Sequence, residues 1–155
     1  MIVSENENII VYLIKIKIDD TKHTTNMYVL KDKLTSKLLL IDPAFDGNNI
    51  KNYLKEIGGE LEGVVITHSH ADHIAGLAEL VNGTNVKVYV HERDKDGLYD
   101  SVLNEEEIVE TKVAPVNGER ISILVDGQDI AVGNTNLIVM HTPGHTKGSI
   151  IIYSV

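Results

Sequence analysis

The chain contains 155 residues, of which 43% are hydrophobic and 24% are charged, and its formal net charge is −9. This length and composition suit a globular protein with a substantial core, so we predict a single domain over residues 1–155. The acidic balance argues against non-specific nucleic-acid binding, and the absence of cysteine excludes disulfides and thiolate metal ligands.

The first ten residues, MIVSENENII, lack the basic start and the long apolar core of a signal peptide. No apolar run approaches the roughly 20 residues that a helix needs to cross a bilayer. We therefore expect a soluble, cytoplasmic protein that binds neither nucleic acid nor membrane.

Strand patterns occur at intervals through the first 90 residues. Ile9, Val11 and Leu13 alternate with less apolar neighbours, as on a half-buried strand. Further short apolar runs occupy residues 27–30, 38–41, 64–66 and 86–90. The last three runs are rich in aliphatic residues, which is typical of strands that are covered on both faces.

Helical patterns lie between these strands. Apolar residues follow helical spacing over residues 50–57, and the glycine pair at 58–59 predicts the end of that helix. The same spacing predicts a helix over residues 74–81. A third, weaker helix is predicted over residues 92–103, where the internal Gly97 disfavours it.

Only strand patterns follow Ile121. The Asp126–Gly127 pair between two apolar runs predicts a β-hairpin. The sequence therefore predicts α/β structure over the first two thirds of the chain and mainly β structure near its end.

The segment ITHSHADHIAG, which begins at Ile66, concentrates histidine at the end of a predicted buried strand. His68 and His70 are two residues apart, so on a continuing strand both rings point to one side of the sheet. Asp72 and His73 follow at the turn into the next helix. Imidazole nitrogen and carboxylate oxygen are ligands of zinc and other transition metals, so the spacing allows one metal position or two adjacent ones.

Two simpler roles compete with metal binding in this segment. Asp72 also suits the N-cap of the helix that begins near Ile74, and a histidine at a strand end is often only a polar terminus. Four potential ligands within six residues favour the metal interpretation. The cap and ligand roles of Asp72 can coexist on different oxygens.

A mononuclear site needs a third histidine, and the later segment HTPGHTKGS offers His145 after a Pro-Gly turn. His141, at the end of the preceding strand, suits a structural or supporting role better than a ligand role. His23 and His91 stand alone among polar residues, and we expect both to be solvated.

The motifs THSHADH and HTPGHTKGS, together with TNMYVL and LLLIDPAF, resemble those of the metallo-β-lactamase superfamily along nearly the whole chain. Ala44 stands where that family usually has glycine. The resemblance implies an α/β fold of the αββα sandwich type. The family's pattern continues beyond the last motif with a bridging aspartate and a further histidine, so we expect an incomplete sandwich that ends before both ligands.

The same resemblance assigns the metal ligands. It implies that His68, His70 and His145 hold a first metal, and that Asp72 and His73 hold part of a second. We therefore expect one firmly bound zinc and a weak or absent second ion, with iron or manganese as alternatives. Asp72 is then the candidate catalytic residue, because it can orient the attacking water.

The function implied by the resemblance is that of a metal-dependent hydrolase of the glyoxalase II-like branch. In such enzymes metal-bound hydroxide attacks the carbonyl of a small thioester or ester. Two alternatives remain open: an iron-dependent oxidoreductase of the persulfide dioxygenase type, and a catalytically idle metal-binding fragment.

The predicted helices can cover only one face of the apolar strands. Large exposed apolar patches usually mark interfaces. We therefore predict a homo-oligomer, or a complementary polypeptide that covers the open sheet face; a shortened version of a longer protein is the alternative.

Overall fold

The structure, a computed structural model, describes residues 1–17 and 24–154. Seven strands form one mixed sheet in chain order: β1 (Ile2–Glu5), β2 (Ile9–Lys17), β3 (Thr24–Asp32), β4 (Lys37–Ile41), β5 (Glu60–Ile66), β6 (Lys87–His91) and β7 (Ile121–Leu124). A second, antiparallel sheet contains β8 (Asp129–Val132), β9 (Thr135–His141) and β10 (Ile150–Tyr153). The α-helices are α1 (Gly47–Ile57), α2 (Ala71–Ile74), α3 (Leu77–Val81) and α4 (Glu106–Val109).

Both faces of the central strands of the seven-stranded sheet are covered, as their aliphatic runs require. On β4, Leu38 and Leu40 pack with α1 and α3, whereas Leu39 packs against the second sheet. All three side chains are fully buried. The second sheet therefore provides the cover that the predicted helices could not, and the expectation of one largely open face is wrong.

Some apolar side chains remain exposed on the second sheet, among them Met140, Ile151 and Tyr153. The expectation of an oligomer or a covering polypeptide stays a prediction, which sedimentation velocity can test. Within the part of the chain that the structure describes, no helix is both long and apolar enough to span a bilayer.

Strand pairing corrects the predicted hairpin at Asp126–Gly127. The strand before this pair, β7, joins β6 in parallel, and the strand after it, β8, belongs to the other sheet. The turn therefore connects two layers. The hairpin of this region lies at Gly133–Asn134, where Val132 pairs with Thr135. The strand β1 was not predicted by the apolar pattern.

The predicted helix over residues 74–81 is divided into α2 and α3. Gly76 lies at the division, and its N–H donates to the carbonyls of Pro43 and Ala44 at 3.0 and 3.1 Å. A Cβ atom at Gly76 would lie 2.7 Å from the Pro43 carbonyl oxygen. The loop after β4 therefore packs tightly onto this break. In the region of the third predicted helix there is a 3₁₀ helix, Lys95–Leu98.

Asp32 ties the two sheets together at the end of β3. Its buried carboxylate accepts hydrogen bonds from the backbone N–H and hydroxyl of Thr35, at 2.8 and 2.7 Å. It also accepts from Asn134 N–H at 3.2 Å and from the Thr135 hydroxyl at 2.8 Å, both at the β8–β9 turn. Burial raises the pKa of Asp32, but these hydrogen bonds outweigh that effect and lower the pKa to about 2.

We expect Asp32 to make the protein sensitive to acid. Because its pKa is lower in the folded state than in the unfolded state, its stabilising contribution is complete above about pH 4 and is lost as the pH falls toward about 2. Chemical denaturation across this range should show a shallower loss of stability in Asp32→Asn than in the wild type. Parallel curves for the two proteins would contradict this assignment.

Candidate metal centre

Three neighbouring parallel strands, β4, β5 and β6, end at the same edge of the larger sheet. The chain leaves these ends at Asp42, at the segment 67–73, and at the turn that contains Asp94. Side chains that follow the carboxyl ends of parallel strands converge in space, although they are far apart in sequence. This edge therefore gathers the histidine segment and two buried carboxylates.

The rings of His68, His70 and His145 meet at this edge. Their centroids are 4.9 Å apart for His68 and His70, 4.7 Å for His68 and His145, and 4.6 Å for His70 and His145. One ligand atom from each ring lies within 4.8 Å of the other two. β5 ends at Ile66, so the expected continuation of the strand through His70 is wrong, yet the loop still brings both rings to a common point.

His68 is the buried member of this group, whereas His145 is exposed. Burial lowers the pKa of His68 to about 4, and repulsion by His73, His70 and His145 acts in the same direction against the attraction of Asp42. A neutral imidazole keeps a lone pair for a metal. His68 is therefore in its ligand-competent form at neutral pH.

Asp42 supports two of the histidines through one carboxylate. It accepts the backbone N–H of Thr67 at 2.8 Å and the Thr67 hydroxyl at 2.6 Å. Nδ1 of His73 lies 2.9 Å from Asp42 Oδ2 and donates to it, so in the neutral ring the lone pair is on Nε2. Because the Thr67 hydroxyl donates to Asp42, its oxygen accepts from Nδ1 of His68, 3.1 Å away, and Nε2 of His68 is left free.

Asp72 and His73 face each other beside the three rings. Nε2 of His73 lies 3.5 Å from Asp72 Oδ2, and that oxygen accepts a hydrogen bond from the Thr25 hydroxyl at 3.1 Å. Burial lowers the pKa of His73, but the hydrogen bond and charge of Asp42, with the charge of Asp72, outweigh it and raise the pKa. Asp72 lies inside α2, whose N-cap is His70 without a side-chain cap bond, so the alternative role of Asp72 as the cap is wrong.

These residues fit a divalent transition metal on chemical grounds. Three imidazoles bring one nitrogen each to within 4.8 Å of the other two. The rings of His68 and His73 are oriented by carboxylate and hydroxyl groups behind them, as metal-binding histidines usually are. A second group of potential ligands contains Asp42, His68 and His73. Asp42 already accepts three hydrogen bonds, so it acts as a support for the rings.

Residues 20–155 match the family model described as the metallo-beta-lactamase superfamily. The chain belongs to the metallo-β-lactamase superfamily. The predicted family and its α/β fold are thereby confirmed.

Curated relatives in this superfamily include hydrolases. The chain is 32% identical over 116 residues to the probable metallo-hydrolase YqgX of Bacillus subtilis, covering 74% of this chain and 54% of the relative. It is 29% identical over 125 residues to the probable polyketide biosynthesis zinc-dependent hydrolase PksB of the same organism, covering 81% and 48%. It is 27% identical over 128 residues to the hydroxyacylglutathione hydrolase of Bdellovibrio bacteriovorus, covering 83% and 43%. The chain spans about half the length of these relatives.

Solved structures show the same fold. The BLEG-1 B3 metallo-β-lactamase superposes with a TM-score of 0.77 at 24% identity, covering 92% of this chain and 67% of that one. TTHA1623, in a di-iron-bound form, superposes with a TM-score of 0.74 at 22% identity, covering 92% and 66%. At these identities the likeness establishes the fold alone.

Two described histidines of this superfamily member, His91 and His141, lie outside the three-ring cluster. His141 stacks on His91 with centroids 4.0 Å apart, and Nε2 of His141 lies 2.9 Å from the Lys147 carbonyl oxygen, which suits the structural role predicted for it. His91 is only 3% exposed, so the expectation that it is solvated is wrong. His23 lies outside the described residues.

The sequence analysis did not predict three carboxylates that lie beside the histidines in this chain. Asp42 and Asp94 each follow a buried strand, and that position after an aliphatic run is the signal that could have found them. Glu105 Oε1 lies 3.7 Å from Nε2 of His70. Glu105 comes from a region without a clear pattern, so its sequence carries no comparable signal.

Proposed function

We propose that this chain forms the metal-binding part of a metallo-hydrolase that cleaves a small thioester or ester. The observation that carries the proposal is the convergence of His68, His70 and His145 from two distant segments. Its relatives include proteins described as a probable metallo-hydrolase and a probable zinc-dependent hydrolase. The thioester class is supported by similarity to the hydroxyacylglutathione hydrolases.

In this proposal His68, His70 and His145 hold one zinc ion. When bound, such an ion supplies Lewis-acid chemistry for water activation and carbonyl polarisation. Asp72 and His73 hold a second ion weakly, with iron or manganese as possible substitutes for zinc because all three accept nitrogen and oxygen ligands.

The side chains of the site have separate tasks. Asp42 and Thr67 keep the protons of His68 and His73 on Nδ1, so that Nε2 of each ring faces outward to the site. The Thr25 hydroxyl holds the Asp72 carboxylate beside His73. From that position we propose that Asp72 accepts a hydrogen bond from the attacking water and orients it toward the substrate carbonyl.

Metal analysis combined with a thioester assay tests this function. The protein is purified without added metal, stripped with a chelator, and reloaded with zinc, iron or manganese. We expect close to one zinc per chain, and hydrolysis of a simple acyl thioester that is lost on stripping and returns with zinc.

Other results would contradict the proposal in distinct ways. A chain that binds no metal, or binds it without any turnover, would support the idle-fragment alternative. Retention of iron with oxygen uptake on a persulfide substrate would support the oxidoreductase alternative. Two firmly bound ions per chain would show that the second position is stronger than proposed.

A further inference from the structure

The two segments that carry the three histidines are separated by more than 70 residues, and a third segment lies between them in space. Asp94, in the turn after β6, is only 4% exposed. Its backbone N–H donates to the His91 carbonyl at 3.0 Å, which fixes the turn. The carboxylate is thereby placed between the loop that carries His68 and His70 and the loop that carries His145.

One carboxylate makes hydrogen bonds to both loops. Oδ2 accepts the backbone N–H of Ser69 at 3.0 Å and the hydroxyl of Thr146 at 2.7 Å. Oδ1 accepts the backbone N–H of Gly148 at 2.7 Å. Ser69 stands between His68 and His70 in the sequence, and Thr146 directly follows His145. Asp94 therefore holds the immediate neighbours of all three rings.

The surroundings of Asp94 are closely packed. A Cβ atom at Gly148 would lie 2.6 Å from Asp94 Oδ1, so only glycine lets the backbone approach the carboxylate this closely. Ser69 is 3% exposed, and a Cβ atom at Gly97 would overlap its hydroxyl oxygen. A backbone bond from Ile150 N–H to the Thr67 carbonyl, at 2.9 Å, joins the bases of the two loops. Asp94 joins the same two loops at residues adjacent to the histidines.

We infer that Asp94 is the positioning residue that holds His145 against His68 and His70 and so preorganises the three-histidine site. This inference rests on the proposed metal centre. Asp94 contacts backbone and hydroxyl groups of the ligand-bearing loops, and it acts on the metal through them. Mutation of a group that holds metal ligands in place, without binding the metal itself, typically lowers metal affinity about 10- to 100-fold.

Zinc titration of the metal-free protein, with Asp94→Asn compared with the wild type, tests the inference. An asparagine keeps the shape of the side chain but turns an NH₂ group toward one set of donors. We expect zinc affinity to fall about 10- to 100-fold. We also expect the visible absorption of the cobalt-loaded protein to change, because the geometry of the three nitrogens is altered.

Asp32→Asn is the matched control. Asp32 is equally buried and accepts four hydrogen bonds from two turns, but it lies where β3 ends and β4 begins, at the opposite edge of the sheet from the histidines. Both variants should lose unfolding stability in the metal-free state. Only Asp94→Asn should lose zinc affinity and change the cobalt spectrum.

Thr146→Val covers the case in which Asp94→Asn does not fold. It removes the hydroxyl that donates to Asp94 and that also lies 2.8 Å from Ser149 Oγ. We expect about a tenfold loss of zinc affinity. Wild-type zinc affinity in either folded variant would overturn the inference while leaving the proposed function intact. Absence of zinc binding by the wild type would overturn both.

Discussion

Replacing His145 by alanine is expected to abolish stoichiometric zinc binding while leaving the stability of the metal-free protein almost unchanged. His145 is exposed on the loop between β9 and β10, so its ring contributes little to the core. We expect a change in unfolding free energy of less than about 0.5 kcal/mol. The loss of zinc affinity should exceed the roughly 10- to 100-fold effect of losing an outer group, because one of three ligands is removed.

Metal content after dialysis, together with denaturant unfolding of the metal-free proteins, measures the two effects separately. Lys147→Ala is the matched control, because Lys147 is exposed on the same loop and its carbonyl bond to His141 survives the substitution. This control should bind zinc as the wild type does. His68→Ala should also lose zinc, but with a loss of stability, since His68 is buried. Full zinc occupancy in His145→Ala would eliminate the three-histidine site.

Replacing Asp42 by alanine is expected to damage both the metal site and the fold. Three donors lose their acceptor: the N–H and hydroxyl of Thr67, and Nδ1 of His73. Leaving them unsatisfied should cost about 3 kcal/mol of unfolding free energy. Zinc affinity should fall about 10- to 100-fold, because neither His68 nor His73 is then held in its tautomer and orientation.

Asp46→Ala provides the comparison for Asp42→Ala. Asp46 comes from the same loop after β4 and caps α1 by accepting the Asn49 N–H at 3.1 Å. Loss of this cap should cost about 1 kcal/mol and leave zinc affinity unchanged. An Asp42→Ala protein with unchanged zinc affinity, measured by competition with a chromophoric chelator, would show that the carboxylate serves only the fold.

The parts of the fold that were predicted correctly depend on local periodicity. The aliphatic runs within β4, β5 and β6, and the spacing of α1 with its stop at Gly58, each report the environment of a single segment. The prediction of a hairpin at Asp126–Gly127 was wrong because a turn sequence indicates only that the chain changes direction. It does not indicate which sheet the next strand joins. The prediction of one continuous helix over residues 74–81 was wrong for a similar reason. The helix is divided where the Pro43 carbonyl approaches Gly76, and this is a contact between distant segments.

The sequence by itself determined the family, the central aliphatic strands and the set of histidines worth testing. These features depend on residues that are close together in the sequence. Only the tertiary structure decided that His145 meets His68 and His70, that Asp42 sets two ring tautomers, and that Asp94 joins both loops. The physical reason is that hydrogen bonds between residues 25 to 54 positions apart, and the approach of the histidine rings, depend on how the strands align at one edge of the sheet. A lone aspartate in a sequence does not reveal its partners.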